Sequence, residues 1–228
     1  MIFRQLFEPV SSTYTYLLAD PASRRALLID PVVEEVETYA RLLAELDLTL
    51  VYTLETHVHA DHVTAGAALR DRFGSRTVVH KDGGADCADL PVKHGDLLTV
   101  GAITLEVRET PGHTSGCVAY VAEDRVFTGD ALLIGGCGRT DFQQGDAGRL
   151  YDSVHGQILS LPPDTLIYPA HDYKGRTVTT VREELATNAR LGGGKTRDEF
   201  IDIMANLKLA YPKQIDRAVP ANQRCGRE

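Results

Sequence analysis

Short apolar runs open the chain, and the period of the pattern then lengthens. Residues 1–7, 14–19 and 26–29 read as strands, the last two joined by a turn at Asp20-Pro21. Over 34–46 the apolar positions Val36, Ala40, Leu43 and Leu46 share one helical face. A strand at 49–55 and a helix at 65–73 follow, with a histidine-rich loop between them. The middle is rich in strands, at 77–79, 97–100, 103–108, 118–121 and 126–127, punctuated by Gly and Asp. From 129 to 148 glycine is frequent and no period holds, which predicts a long functional loop. A helix over 150–160 and a strand over 165–168 come next. Thr180-x-x-Glu183 and Thr196-x-x-Glu199 have the spacing of capping boxes. The last residues, from about 210 to 228, contain Pro212 and Pro220 and read as an irregular tail packed on the body. Strands and helices interleaved from start to finish predict a single α/β sandwich domain over 1–228.

Composition narrows the function classes. The 228 residues carry 24 Lys plus Arg against 32 Asp plus Glu, a net charge of −8. Without a Lys/Arg run, no nucleic-acid partner is expected, because phosphate binding needs clustered positive charge. No stretch reaches the ~20 apolar residues of a membrane helix. The first residues show neither a signal core nor a transit pattern. Cys87, Cys117, Cys137 and Cys225 are scattered without a C-x-x-C. That predicts no disulfide framework and a reducing, cytoplasmic setting, with Cys137 and Cys225 as buried inert thiols.

The chemistry concentrates on histidine. Of eight histidines, three lie within His57-Val58-His59-Ala60-Asp61-His62, just after the strand at 49–55. His113 follows the strand at 103–108, Asp130 that at 126–127, and His171 that at 165–168. Imidazole and carboxylate together ligate divalent zinc, iron and manganese. Parallel neighbours would bring these strand ends to one edge, where ligands converge. The spacing predicts a metal site and leaves open which metal, and whether one ion or two.

This series of H-x-H-x-D-H, Gly-His, Gly-Asp and Ala-His resembles the metallo-β-lactamase superfamily, whose fold is a four-layer αββα sandwich. Four segments narrow the resemblance to the persulfide dioxygenases, the ethylmalonic encephalopathy protein family. They are Thr56-His57-Val58-His59-Ala60-Asp61-His62-Val63-Thr64, Gly136-Cys137-Gly138-Arg139-Thr140-Asp141-Phe142-Gln143-Gln144-Gly145, Tyr168-Pro169-Ala170-His171-Asp172-Tyr173 and Ile215-Asp216-Arg217-Ala218-Val219-Pro220-Ala221-Asn222. The resemblance implies oxidation of glutathione persulfide by O2 and water to sulfite and glutathione. It implies one Fe(II) per chain, held by His57, His113 and Asp130. His59, Asp61, His62 and His171 would then orient ligands around a vacant second metal position. It also implies a homodimer, and a sulfurtransferase partner on a separate chain. The alternatives are a dinuclear acylglutathione thioester hydrolase of the glyoxalase II kind and a non-catalytic metal-binding protein.

Glutathione carries two carboxylates, so cations are expected at the mouth of the site. Lys174, Arg176, Arg217 and Arg224 are candidates, and Arg139, Asp141 and Tyr173 are expected beside the substrate. For Arg139 and Asp141 the competing reading is a salt bridge that fixes the glycine-rich loop. Gly192-Gly193-Gly194-Lys195-Thr196 lacks the first glycine of a P-loop and reads as a turn between helices.

Overall fold

The computed structural model describes residues 1–228 and has two six-stranded sheets, each ordered in space as it is in sequence. The first holds β1 (Ile2–Glu8), β2 (Thr13–Ala19), β3 (Arg25–Ile29), β4 (Thr49–Leu54), β5 (Arg76–His80) and β6 (Leu90–Val92). The second holds β7 (Leu97–Val100), β8 (Ile103–Glu109), β9 (Val118–Ala122), β10 (Arg125–Gly129), β11 (Leu166–Pro169) and β12 (Thr179–Thr180). Helices α1 (Val36–Glu45) and α2 (Gly66–Phe73) pack on the first sheet. Helices α3 (Ala147–Ser153), α4 (Val181–Thr187) and α5 (Arg197–Ala205) pack on the second. The result is the αββα sandwich, the fold of the metallo-β-lactamases.

Strand composition explains the layering. Every residue of β2 is buried. Tyr14, Tyr16 and Leu18 face the core between the sheets, while Leu17 and Ala19 face Tyr39 and Leu43 of α1 and Leu69 of α2. A strand covered on both faces reads as a continuous apolar run rather than an alternation. On β8 only Ile103, Leu105 and Val107 are fully buried, so its pattern alternates. Phe3, Tyr16, Phe127 and Tyr168 fill the centre, with Tyr16 and Phe127 centroids 4.9 Å apart. The Tyr16 hydroxyl donates to Pro169 O at 2.6 Å, so the buried ring leaves no polar atom unpaired.

Strand direction puts the loops that matter at one edge. β3, β4, β5 and β6 are parallel. β8 and β10 both run antiparallel to β9 and therefore share a direction, and β11 is parallel to β10. The sheets touch at that edge: Tyr14 N donates to Ala170 O at 2.7 Å and Val118 N to Thr56 O at 2.8 Å.

Three sequence expectations change. The tail is not irregular: α6 (Ile215–Asn222) lies within it, with Pro220 inside the helix. The two prolines signalled a break, yet a single proline removes only one helical bond, and buried Ala218, Ala221 and Asn222 hold the segment in place. Cys225 is not a free thiol, since it forms a disulfide with Cys87 across 138 residues of sequence. Only the fold brings these two together, and the cysteine argument for a reducing, cytoplasmic setting loses its premise. At Thr180 the hydroxyl caps Glu183 N, but the Glu183 carboxylate turns to Thr179, so the full capping box exists only at Thr196.

Candidate metal centre

The loop after β4 is tied down before any ligand appears. Thr56 N and Oγ1 donate to the two oxygens of Asp30 at 2.7 and 2.9 Å. With its own proton committed, Thr56 Oγ1 accepts from His57 Nδ1 at 3.0 Å. His57 Nε2 is then a lone pair facing inward, buried and without a hydrogen-bond partner. Burial also holds the ring well below the usual histidine range, so it is neutral, the form that ligates metals.

From the second sheet, His113 Nδ1 donates to Arg139 O at 2.6 Å, which leaves Nε2 free 3.7 Å from Asp130 Oδ2. The other oxygen of Asp130 accepts from His171 Nδ1 at 2.6 Å. Burial works against ionising Asp130, but the His171 cation overcomes it and holds the carboxyl far below its ordinary range. His57, His113 and Asp130 thus offer three free donor atoms within 4.8 Å of one another, each oriented through its other polar atom. These residues fit a divalent metal.

Two glycines permit this approach. Gly129, at φ +55°, lets the chain turn into Asp130, and a Cβ there would lie 2.6 Å from Thr56 Oγ1. A Cβ on Gly138 would lie 2.8 Å from His113 Nδ1 and 2.7 Å from Asp130 O.

His59, Asp61, His62 and His171 form a second cluster, also within 4.8 Å. Here Asp61, His62 Nδ1 and His171 are engaged with one another, while His62 Nε2 and both ring nitrogens of His59 have no partner in hydrogen-bond geometry. Asp61 Oδ2 accepts from His171 Nε2 at 2.8 Å and from His62 Nδ1 at 2.9 Å. His59 turns its Nε2 to Asp30 Oδ1 at 3.1 Å; burial opposes the charge, but Asp30 raises the ring to about 9. All seven ligand-type residues singled out from sequence therefore meet at one place.

A cavity of about 730 Å³ opens from this centre. Tyr173 lines it, 72% exposed, its ring parallel to that of His171 at 6.3 Å. Lys174 and Arg176 also line it. Arg139 lines it too, but is held by Asp141 through two bonds of 2.6 and 2.7 Å and donates to Ala210 O. Asp141 does not line the cavity, and the pair fixes the loop. Arg217 and Arg224 do not line it either. Arg217 pairs with Glu228 and borders a separate cavity of about 120 Å³. Arg190 and Lys213 line the large cavity without having been signalled by sequence. They reach it from the segment after α4 and from the tail, and nothing local marks such residues. Cys137 lines it as well, but burial raises its thiol to about 11, so it is protonated at neutral pH.

The family model described as metallo-beta-lactamase superfamily matches residues 9–171. The mitochondrial persulfide dioxygenase ETHE1 of Homo sapiens is 55% identical over 229 residues, covering 99% of this chain and 89% of that protein. The crystal structure of ETHE1 from Myxococcus xanthus matches with a TM-score of 0.97 at 56% identity, covering 99% of this chain and 100% of the other. A hydroxyacylglutathione hydrolase from Bradyrhizobium is more distant, 36% identical over 178 residues, which is 76% of this chain and 68% of that protein. Similar in sequence and fold along almost its whole length, the chain belongs to the metallo-β-lactamase superfamily and, within it, to the persulfide dioxygenases.

Proposed function

We propose that the protein is a persulfide dioxygenase that oxidises glutathione persulfide with O2 and water to sulfite and glutathione, using one Fe(II) held by His57, His113 and Asp130. The observation that carries this reading is the asymmetry of the centre. His57, His113 and Asp130 each present one free donor atom oriented toward one point, while in the neighbouring cluster both ring nitrogens of His171 and Oδ2 of Asp61 are engaged in hydrogen bonds. Two histidines and one carboxylate form the facial triad of iron oxygenases, and Fe(II) held by them would supply the redox chemistry that activates O2 toward the persulfide sulfur.

The chain's own residues do the rest. Thr56 and the Arg139 carbonyl fix the tautomers of His57 and His113. His171 donates to Asp130 and keeps the Asp130 carboxylate charged and oriented. At the mouth, the side chains of Lys174 and Lys213 form no ion pair within the chain and suit the glutathione carboxylates. Arg176 is held by Asp172, with bonds of 2.9 and 3.2 Å, and shapes the wall. Persulfide of this class would come from a sulfurtransferase on a separate chain.

The test is metal analysis of the purified protein together with turnover of glutathione persulfide under ¹⁸O2. One iron per chain, rapid O2 uptake and sulfite carrying the label are expected. Two metals per chain, no O2 uptake and cleavage of an acylglutathione thioester would overturn the reading in favour of the hydrolase.

A further inference from the structure

The second cluster has the ligand types of a metal site, so something must decide whether it takes an ion. Thr13, the first residue of β2 and fully buried, touches three of the cluster's four side chains. Its Oγ1 lies 3.1 Å from His171 Nε2, 3.2 Å from Asp61 Oδ2 and 3.3 Å from His62 Nδ1. A cation in this cluster would need these same side chains at about 2.0–2.2 Å. The hydroxyl instead covers the triangle they form and shares their hydrogen bonds.

Thr13 is held there from two sides. Its backbone bridges to His171 across the seam between the sheets. Its side chain meets Ser11 Oγ at 2.6 Å, and Ser11 Oγ donates to Glu8 Oε2 at 2.6 Å. Glu8 also accepts from the backbone N–H groups of Val10 and Ser11, both at 2.7 Å. A cavity of about 120 Å³, lined by Glu8, Glu34, Asp61, His62 and Arg217 among others, borders the cluster.

We infer that Thr13 sets the metal count of this enzyme: its hydroxyl plugs the second metal position, so that only the site of His57, His113 and Asp130 loads. This rests on the one-iron reading above, and adds the residue that enforces it.

The experiment titrates Co(II) into the chelator-stripped full chain, following d–d absorption and metal per chain by mass spectrometry. Wild type and Thr13→Ser are expected to bind one Co(II). Thr13→Ala is expected to bind two, the second at least about tenfold more tightly than in wild type, because the hydroxyl no longer competes with the ion for Asp61, His62 and His171. Spin coupling between the two ions would appear in its electron paramagnetic resonance spectrum. Retention of the first equivalent in Thr13→Ala reports that the variant is folded. If that variant stops at one ion, the inference fails and the one-iron reading stands. If wild type itself takes two ions with similar affinity, the plug is refuted whatever the variant does, and the one-iron reading fails with it.

Discussion

Single atoms decide the quality of the metal centre. Gly138 contributes no side chain, yet its α-carbon sits where any Cβ would strike His113 and the Asp130 carbonyl. Gly138 N also donates to Asp130 O at 2.7 Å, so the strand end and the loop are pinned together. Gly138→Ala is expected to lower metal affinity by about 10–100-fold, the range for disturbed outer partners, measured by competition with a chelator. Thr56 works in the opposite way, through what it donates and accepts. Thr56→Val keeps the shape but frees the His57 tautomer, and the same assay is expected to show a smaller loss.

Helix α6 is the element that connects the far end of the chain to the centre. Asn222, buried within it, donates to the carbonyls of His59 and His62 at 2.9 and 2.8 Å and accepts from Thr64 N at 2.8 Å. Asn222→Ala leaves three buried backbone groups unpaired. At about 1–3 kcal/mol for each such group, the loss is expected to be roughly 3 kcal/mol or more. For a chain of this size that corresponds to a Tm lower by about 6–12 °C in calorimetry. The Cys87–Cys225 disulfide anchors the same helix end, and Ala67 N donates to Cys225 O at 2.8 Å. A cross-link closing a long loop contributes about 2–4 kcal/mol, so Cys87→Ser is expected to lower Tm by a similar amount. Thiol counting checks the linkage directly. Denatured, unreduced protein should take alkylating reagent at two cysteines, Cys117 and Cys137, and reduced protein at all four. In the folded protein at neutral pH neither free thiol should react, because burial raises Cys117 to about 12 and Cys137 to about 11.

At the scale of the molecule, charge is distributed against its total. The chain carries a net −8, yet Lys174, Arg176, Arg190 and Lys213 stand around one cavity. Such a local field draws an anionic thiol despite the overall sign, and salt screens it. KM for glutathione persulfide is therefore expected to rise with ionic strength while kcat holds. Lys174→Ala and Lys213→Ala should each raise KM by roughly fivefold or less, the worth of an exposed charge pair. A fall in kcat with KM unchanged would remove these lysines from substrate binding.

The sequence by itself determined the strands and helices whose apolar period is strong, and the residue types of the centre. β2, α1 and α2 are legible because both faces of a covered strand, or one face of a helix, must be apolar. The H-x-H-x-D-H run and the residues just past β8, β10 and β11 are legible because ligands that converge at a sheet edge must follow strand ends. The tertiary structure decided what depends on distant partners. It brought Cys87 to Cys225, made a helix of the proline-containing tail, and placed Arg190 and Lys213 at the mouth while turning Arg217 toward Glu228. It also seated Thr13, an ordinary strand residue by pattern, among Asp61, His62 and His171, which lie 48, 49 and 158 positions away in the chain. Period and spacing are local properties, whereas a hydrogen bond across two sheets exists only once both sheets are packed.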